Sequence, residues 1–412
     1  MKALSGVRVL DLSRVLAGPW STQILADLGA EVVKVERPGE GDDTRHWGPP
    51  NLLDENGIDS GESAYFQSAN RGKQSVAIDI SSAQGQALVR ALALKADVLV
   101  ENYKVGGLAR YGLDYESLKL LNPRLIYCSI TGFGQTGPYA QRPGYDAMIQ
   151  AMGGLMSLTG DPEGEPAKVG VALTDISTGL YATIGILAAL HQRQHSGEGQ
   201  YIDLALLDVQ VATLANQGMN FLATGVAPER RGNAHPSIVP YQVFAVSDGH
   251  LMLAVGNDEQ FRRCCDVLGM PEWGSDDRFA TNSARVVHRD ALVEALQKIF
   301  LQRKLDEWLE CLEIANVPCG PINTLDRVFA NPQVKHRKMK VSMHHSLAGE
   351  QAFVASPLRL SASPVEYESA PPLLGQHGRD VLSTWLGIGE EEFDAYSDAG
   401  VVGRPAGLVS EE

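Results

Sequence analysis

The sequence predicts an α/β fold in which helices cover a parallel sheet. In the first third of the chain, short runs rich in β-branched residues alternate with stretches of helical periodicity, which is typical of parallel strands joined by crossover helices. The predicted strands are Val7–Leu12, Glu31–Glu36, Asp97–Asn102 and Arg124–Ser129, and the predicted helices are Ser21–Leu28, Ala83–Ala96 and Asp114–Leu121. Because such sheets bind ligands beyond the carboxyl ends of their strands, we expect a site there.

The later part of the chain predicts a second lobe. After residue 145 the pattern changes to longer apolar helices, and the polar segment Gly225–His235 that follows them is the predicted linker. Beyond the linker, two β-rich runs around an Asp-Gly dipeptide predict a hairpin, and a last strand is predicted at Ala352–Leu360. The expected organisation is a large lobe at 1–225, a smaller α+β lobe at 226–330, and a C-terminal segment at 331–412 that returns to the large lobe.

Composition excludes several classes of partner. The net charge is −15 and the basic residues are scattered, so we expect no nucleic acid to bind. No run of about 18 apolar residues is present, and the chain enters a strand pattern at once without a leader, so we expect no membrane partner. Five cysteines without paired or metal-ligand spacing indicate a reducing compartment, and we expect a cytoplasmic protein without a metal site.

Asp175 is the strongest candidate for chemistry. In VGVALTDISTG an apolar run ends at this acidic residue immediately before a long helix. Backbone N–H groups and the helix dipole favour a charged carboxylate there, so we expect Asp175 to be ionised at neutral pH and able to attack a thioester carbonyl. The structural alternative is a helix N-cap, a position at which aspartate is common.

Other motifs are weaker. The glycines of TGFGQTG have GxGxxG spacing, but no clear helix follows them, so we reject a dinucleotide site. Gly232–His235 is as typical of a turn as of a binding loop. Cys264 and Cys265 lie in a helical pattern and are expected to be core residues, and no histidine has metal-ligand spacing to a partner.

Several segments together resemble the class III CoA-transferase family of the formyl-CoA transferase and carnitine CoA-transferase type. They are VLAGPWSTQILADLGAEVVKVERPGEGDDTR, ANRGKQSVAIDI, the stretch from VENYKVGG to RPGYDAM, and VGVALTDISTG. The similarity runs from Val7 to Leu374. Within the family, GDDTRHWGPP, SIVPYQ and PPLLGQH look most like members that move CoA from succinyl-CoA to glutarate-type diacids.

The resemblance implies a mechanism and a fold. Asp175 matches the family's nucleophile, which forms a mixed anhydride and then an aspartyl-CoA thioester, with no cofactor beyond coenzyme A as substrate. The implied architecture is a homodimer of interlocked rings, each chain having a Rossmann-like large lobe. The residues that match the CoA-binding positions are Leu16, Ala17, Arg37, Asp79, Asn102, Tyr103, Lys104, Arg110 and Tyr145.

A dicarboxylic acid also needs a cation for its second charge, because an unpaired buried carboxylate is costly. Arg45 and Arg231 are the candidates, since both lie in the loops that most resemble the diacid-specific members. Two departures from the family matter. Ser81 stands where a lysine is frequent, which weakens a nucleotide contact, and the region of Arg231 lacks the glycine-rich loop that accompanies oxalate or formate.

Three other functions remain open at this point. An α-methylacyl-CoA racemase would need a histidine where this chain has Tyr145, and a phenol is a poor replacement for imidazole. An acyl-CoA thioesterase would let water hydrolyse the acyl-aspartyl intermediate, and a silent CoA-binding protein would not need Asp175. The acceptor acid also stays open among glutarate, hydroxymethylglutarate, itaconate, mesaconate and malate.

Overall fold

The structure is a computed structural model that describes residues 2–405. Its strands are β1 (Arg8–Asp11), β2 (Glu31–Glu36), β3 (Asn51–Leu53), β4 (Asp59–Ser63), β5 (Lys73–Ala77), β6 (Val98–Glu101), β7 (Ile126–Thr131), β8 (Tyr201–Ala205), β9 (Tyr241–Val246), β10 (Gly249–Ala254), β11 (Cys319–Pro321), β12 (Lys340–His345) and β13 (Gly349–Val354). Its α-helices are α1 (Ala17–Asp27), α2 (Ala64–Gln67), α3 (Ala83–Lys95), α4 (Tyr115–Leu121), α5 (Asp146–Met152), α6 (Leu155–Leu158), α7 (Leu173–Ser196), α8 (Leu206–Ala212), α9 (Ala215–Thr224), α10 (Asp258–Leu268), α11 (Asn282–Val287), α12 (Arg289–Phe300), α13 (Leu305–Ile314), α14 (Leu325–Ala330), α15 (Pro332–His336), α16 (Gly378–Leu386) and α17 (Glu390–Asp398).

The chain divides into two compact units. The first contains residues up to Gly154, then Val169–Gly218, and the chain from Gln333 onward; the second contains Leu155–Lys168 and Met219–Pro332. Residues 155–168 and 219–225 therefore group with the second unit, although the expected division had them in the large lobe. Hydrogen bonds explain the grouping of 155–168, because Arg230 Nη2 donates to the carbonyl of Gly164 at 2.8 Å and the Gly232 N–H donates to that of Gly160 at 3.0 Å.

A six-stranded parallel sheet forms the centre of the first unit. Its strand order is β5-β2-β1-β6-β7-β8, which confirms the predicted α/β class. The order reverses between β1 and β6, so the crevice at the carboxyl ends of these two strands is the expected ligand position.

Alternate residues of each strand face opposite sides of this sheet. On one side Leu10 and Leu99 belong to the buried cluster that includes residues of α3 and α16. On the other side Val9 and Val98 belong to the cluster that includes residues of α1 and α7. Two buried cores therefore hold the sheet, and its carboxyl edge stays available for a site.

Helix α7 packs closely against α1. A side chain at Gly179 would bring its Cβ within 2.7 Å of the Ala17 carbonyl oxygen, so glycine is required for this approach. Among the described residues α7 alone has the length and composition of a membrane-crossing helix. Because buried Arg193 on this helix pairs with Asp97 at 2.7 Å, we assign α7 to the core of the first unit.

The second unit has its own core. Strands β9, β10 and β11 form an antiparallel sheet whose buried residues cluster with those of α10, α12 and α13. Cys264 and Cys265 are fully buried in that cluster, as expected.

The predicted strand at Ala352–Leu360 is only partly correct. Strand β13 ends at Val354 and pairs with β12, which the sequence pattern did not predict. The strand does not continue through Pro357, because proline has no N–H to donate to a ladder.

Candidate active site

Asp175 lies in the first turn of α7 and is not the helix cap. The N-cap residue is Ala172, which has no capping side chain. The free N–H groups are bound instead by Asp146 at the start of α5, whose Oδ1 accepts from the Thr174 N–H at 2.8 Å and from the Asp175 N–H at 3.3 Å. Gln150 then donates to Asp146 Oδ2 at 2.7 Å. The alternative that Asp175 is the N-cap of α7 is therefore wrong, since the side chain of Asp146 caps this helix.

The carboxylate of Asp175 is buried and has no hydrogen-bond donor among the described residues. Its residue exposure is only 9%. Burial, and secondarily the negative charge of Asp146, raise the pKa of Asp175 to about 7. Our expectation of a fully ionised carboxylate at neutral pH is corrected accordingly, because loss of water outweighs the helix N-terminus here.

Asp175 lines a cleft of about 310 Å³ at the carboxyl ends of β1, β6 and β7. Six of the residues matched to CoA-binding positions line the same cleft: Leu16, Ala17, Asn102, Tyr103, Lys104 and Tyr145. This is the crevice where the strand order reverses. The described residues that line this cleft include no histidine, so the imidazole base of a racemase is not supplied by them.

The other predicted CoA contacts line a second cavity of about 540 Å³. Arg37, Asp79 and Arg110 lie there, and Tyr103 lines both cavities. Arg14 and Asp43 also line both, and their side chains pair at 3.0 Å while the Arg14 guanidinium lies over the Tyr103 ring. The two cavities therefore share one wall.

The side-chain amide of Asn102 is hydrogen-bonded to the backbone of the loop after β1. Its Oδ1 accepts from the Arg14 N–H at 2.9 Å and its Nδ2 donates to the Arg14 carbonyl at 2.7 Å. The next residue, Val15, has φ of 70°, a left-handed conformation that is costly for a β-branched residue. Asn102 thus fixes the backbone of the cleft wall.

Neither arginine that we expected to bind the acid lines the cleft of Asp175. The Arg45 guanidinium makes two hydrogen bonds to Glu36, at 2.7 and 2.8 Å, and a third to the Pro372 carbonyl at 3.0 Å. It is buried over the Phe66 ring, and its Nη1 lies 3.7 Å from Glu62 Oε2, so its charge is already matched within the protein. Arg231 is an exposed residue of the second unit, whereas Asp175 belongs to the first.

Four residues near Asp175 were not identified from the sequence. Arg14, Trp47 and Arg142 line the cleft, and Tyr65 packs edge-on against Trp47 with 5.1 Å between ring centroids. Partial burial, and then the nearby charges of Asp175 and Asp146, raise the pKa of Tyr65. Arg14 and Arg142 are basic residues in loops that follow strands, and this position is the sequence signal that points to them.

No group of three or more His, Cys, Asp or Glu residues within positions 2–405 is arranged to hold a metal ion. The described residues at the site supply an unpaired carboxylate, a fixed backbone wall and several cations. A model of CoA-transferase family III matches residues 4–378. The chain belongs to this family. It is accordingly an enzyme that transfers CoA.

The relatives match most of the chain's length. A succinate–glutarate CoA-transferase of Agrobacterium fabrum is 52% identical over 380 residues, which cover 92% of this chain and 95% of the relative. The human succinyl-CoA:glutarate CoA-transferase is 44% identical over 402 residues, covering 98% of this chain and 90% of the relative. A CAIB/BAIF family protein of Brucella suis, known from its crystal structure, is 51% identical with a TM-score of 0.83, covering 93% of this chain and 99% of that one.

The raised pKa predicts how stability depends on pH. In the folded enzyme Asp175 stays protonated up to about pH 7, whereas the unfolded chain releases the proton near pH 4. The folded state therefore loses stability as pH rises between these values, by about 4 kcal/mol at most. Asp175→Asn cannot ionise, so its free energy of unfolding should exceed that of the wild type increasingly from pH 4 to 7. Urea titrations across this range measure the difference, and a pH-independent difference would contradict the assignment.

Proposed function

We propose that this enzyme transfers CoA from succinyl-CoA to glutarate through covalent intermediates on Asp175. The observation that carries the proposal is a buried carboxylate that accepts no hydrogen bond from residues 2–405 and that faces the crevice where this sheet type binds ligands. A carboxylate held out of water and free of donors is a stronger nucleophile than a solvated one. Its pKa of about 7 leaves a substantial ionised fraction at neutral pH.

The choice of acids rests on the relatives. The Agrobacterium and human proteins are named for transfer between succinate and glutarate, and they span nearly the whole chain. Both acids are short dicarboxylates, so one pocket that accepts a second negative charge serves donor and acceptor alike.

The reaction consists of four displacements that conserve the thioester energy. A carboxylate oxygen of Asp175 attacks the succinyl-CoA carbonyl carbon, and the CoA thiolate leaves to give an aspartyl–succinyl anhydride. The thiolate then attacks the Asp175 carbonyl carbon, succinate leaves, and an aspartyl-CoA thioester remains. Glutarate attacks that thioester and expels the thiolate, which finally attacks the glutaryl carbonyl and releases the Asp175 carboxylate. No other cofactor is needed for these steps.

We place the bound CoA across both cavities. Its phosphates carry several negative charges and suit Arg37 and Arg110 at the second cavity, since guanidinium groups bind phosphate oxygens well. Its thioester end would pass the wall formed by Arg14, Asp43 and Tyr103 and reach Asp175. Asp79 is a weaker candidate, because its Oδ1 already accepts two hydrogen bonds from Ser81.

We also propose that the enzyme is a homodimer of interlocked chains in the cytoplasm. Leu180, Tyr181 and Ile184 on α7 are each more than two-fifths exposed, which supports an interface there. All five cysteines are free, which is compatible with a reducing compartment.

Replacing Asp175 with alanine should abolish CoA transfer while leaving the protein folded, because Asp146 rather than Asp175 caps α7. Release of glutaryl-CoA from succinyl-CoA and glutarate measures the effect. Asp290→Ala is the matched control, since Asp290 also lies in the first turn of a helix, α12, in the other unit; it should keep wild-type turnover.

Retention of even a tenth of wild-type transfer by the Asp175→Ala enzyme would show that another group is the nucleophile. The same assay separates the competing functions. A thioesterase would release free CoA without an acceptor, and a racemase would exchange the α-proton of an acyl-CoA with solvent.

Arg37→Ala and Arg110→Ala should each raise the KM for succinyl-CoA by roughly 10- to 100-fold, the loss expected for a charged hydrogen bond of about 1.5–3 kcal/mol. The kcat should change much less, because neither residue lines the cleft of Asp175. Arg278→Ala in the second unit is the control and should leave KM unchanged. If both cavity variants kept the wild-type KM, the phosphates would lie elsewhere.

A further inference from the structure

Three basic side chains line the cleft of Asp175: Arg14, Lys104 and Arg142. Any of them is a formal candidate to neutralise the second carboxylate of a diacid. Their surroundings differ enough to decide among them.

Arg14 already has a carboxylate partner. Its Nη1 lies 3.0 Å from Asp43 Oδ2, and its backbone is bound by Asn102. It also lines the second cavity, on the side where the nucleotide is placed. Lys104 also lines the cleft, but its ammonium is a single point charge and cannot bind both oxygens of a carboxylate in parallel as a guanidinium does.

Arg142 has no such partner. No oxygen in residues 2–405 accepts a hydrogen bond from its guanidinium, which lies over the Tyr139 ring with 4.0 Å between Cζ and the ring centroid. Stacking on an aromatic ring orients a guanidinium and leaves its N–H edge available for a carboxylate. The guanidinium of Arg142 is therefore held in position by the ring but has no anionic partner among the described residues.

The backbone that carries Arg142 is tied to Asp175. Four residues after Arg142 comes Asp146, whose Oδ1 accepts from the N–H of Asp175. Between them lies Gly144, where a Cβ would overlap the Cα of Gly132 at the end of β7. This close backbone contact holds the segment against the sheet edge, so Arg142 and the nucleophile belong to one fixed frame.

We infer that Arg142 binds the distal carboxylate of the dicarboxylic acid while its other carboxyl group reacts at Asp175. The inference rests on the proposed function and names its specificity determinant. A guanidinium binds a carboxylate through two parallel hydrogen bonds, which a lysine cannot reproduce. Its long side chain also accommodates succinate and glutarate, which differ by one methylene, so the same cation serves both half-reactions.

The decisive experiment offers glutarate and glutaramate together to the enzyme with succinyl-CoA. Glutaramate is the monoamide of glutarate, and it has nearly the same shape without the second charge. The ratio of the two CoA products reports only the acceptor step, because both acids compete for the same aspartyl-CoA intermediate. Arg142 is exposed, so substitutions there should not impair folding, and thermal unfolding checks this.

The wild type should prefer glutarate strongly. Arg142→Gln should reduce the glutarate-to-glutaramate ratio by roughly 10- to 100-fold, the effect of losing a charged hydrogen bond. Arg142→Lys should restore part of the ratio, since it keeps the charge but not the paired donors. Lys104→Gln is the matched control; it should affect both products alike and leave the ratio unchanged.

Two results would overturn the inference: a wild type that does not discriminate between the acids, or an Arg142→Gln enzyme whose ratio equals that of the wild type. In both cases transfer to glutarate would still stand. A wild-type enzyme that forms no glutaryl-CoA from succinyl-CoA and glutarate would instead contradict the proposed function itself.

Discussion

The cleft depends on a buried network of charges beneath the loop that joins β1 to α1. Lys34 pairs with Asp42 at 2.9 Å and Lys73 with Asp11 at 3.1 Å, and all four side chains are fully buried. Lys34 also donates to the Ser13 carbonyl at 2.7 Å, and Asp42 accepts from the Val15 N–H. Buried charges are tolerated only when they are paired and hydrogen-bonded in this way. The network thereby holds the loop in the strained conformation that forms the cleft wall.

Asp11 and Asp175 show how pairing with a cation determines the ionisation state of a buried carboxylate. Burial alone would raise the pKa of Asp11, but Lys73 and Lys34, together with hydrogen bonds from Ser13 and Thr22, outweigh it and lower that pKa to about 2. Asp175 pairs with no cation within residues 2–405, so burial, and then the negative charge of Asp146, raise its pKa to about 7. One carboxylate is thus a permanent anion that supports the structure. The other keeps the reactivity that a nucleophile needs, while Asp146 caps the helix.

The sequence predicted the sheet and its functional edge because both depend on local patterns. Alternating apolar strands identified β1, β2, β6 and β7, and the carboxyl-end rule indicated the edge of the sheet at which the cleft lies. Local patterns do not predict contacts between residues that are far apart in the sequence. Arg45 was chosen because of its loop, yet it binds Glu36 on β2 and the carbonyl of Pro372, which is far away in the chain. Likewise, Asp146 can cap α7 only because α5 packs against α7. No spacing in the sequence indicates this contact.

The central claim is that Asp175 carries CoA covalently. The most direct test is to mix the enzyme with succinyl-CoA without an acceptor acid, quench with hydroxylamine, and analyse the peptides by mass spectrometry. Hydroxylamine converts an activated aspartyl group into a stable hydroxamate. We expect a hydroxamate on Asp175 that appears only with succinyl-CoA and diminishes when glutarate is added before the quench. A hydroxamate on a different carboxylate, or none during active turnover, would contradict it.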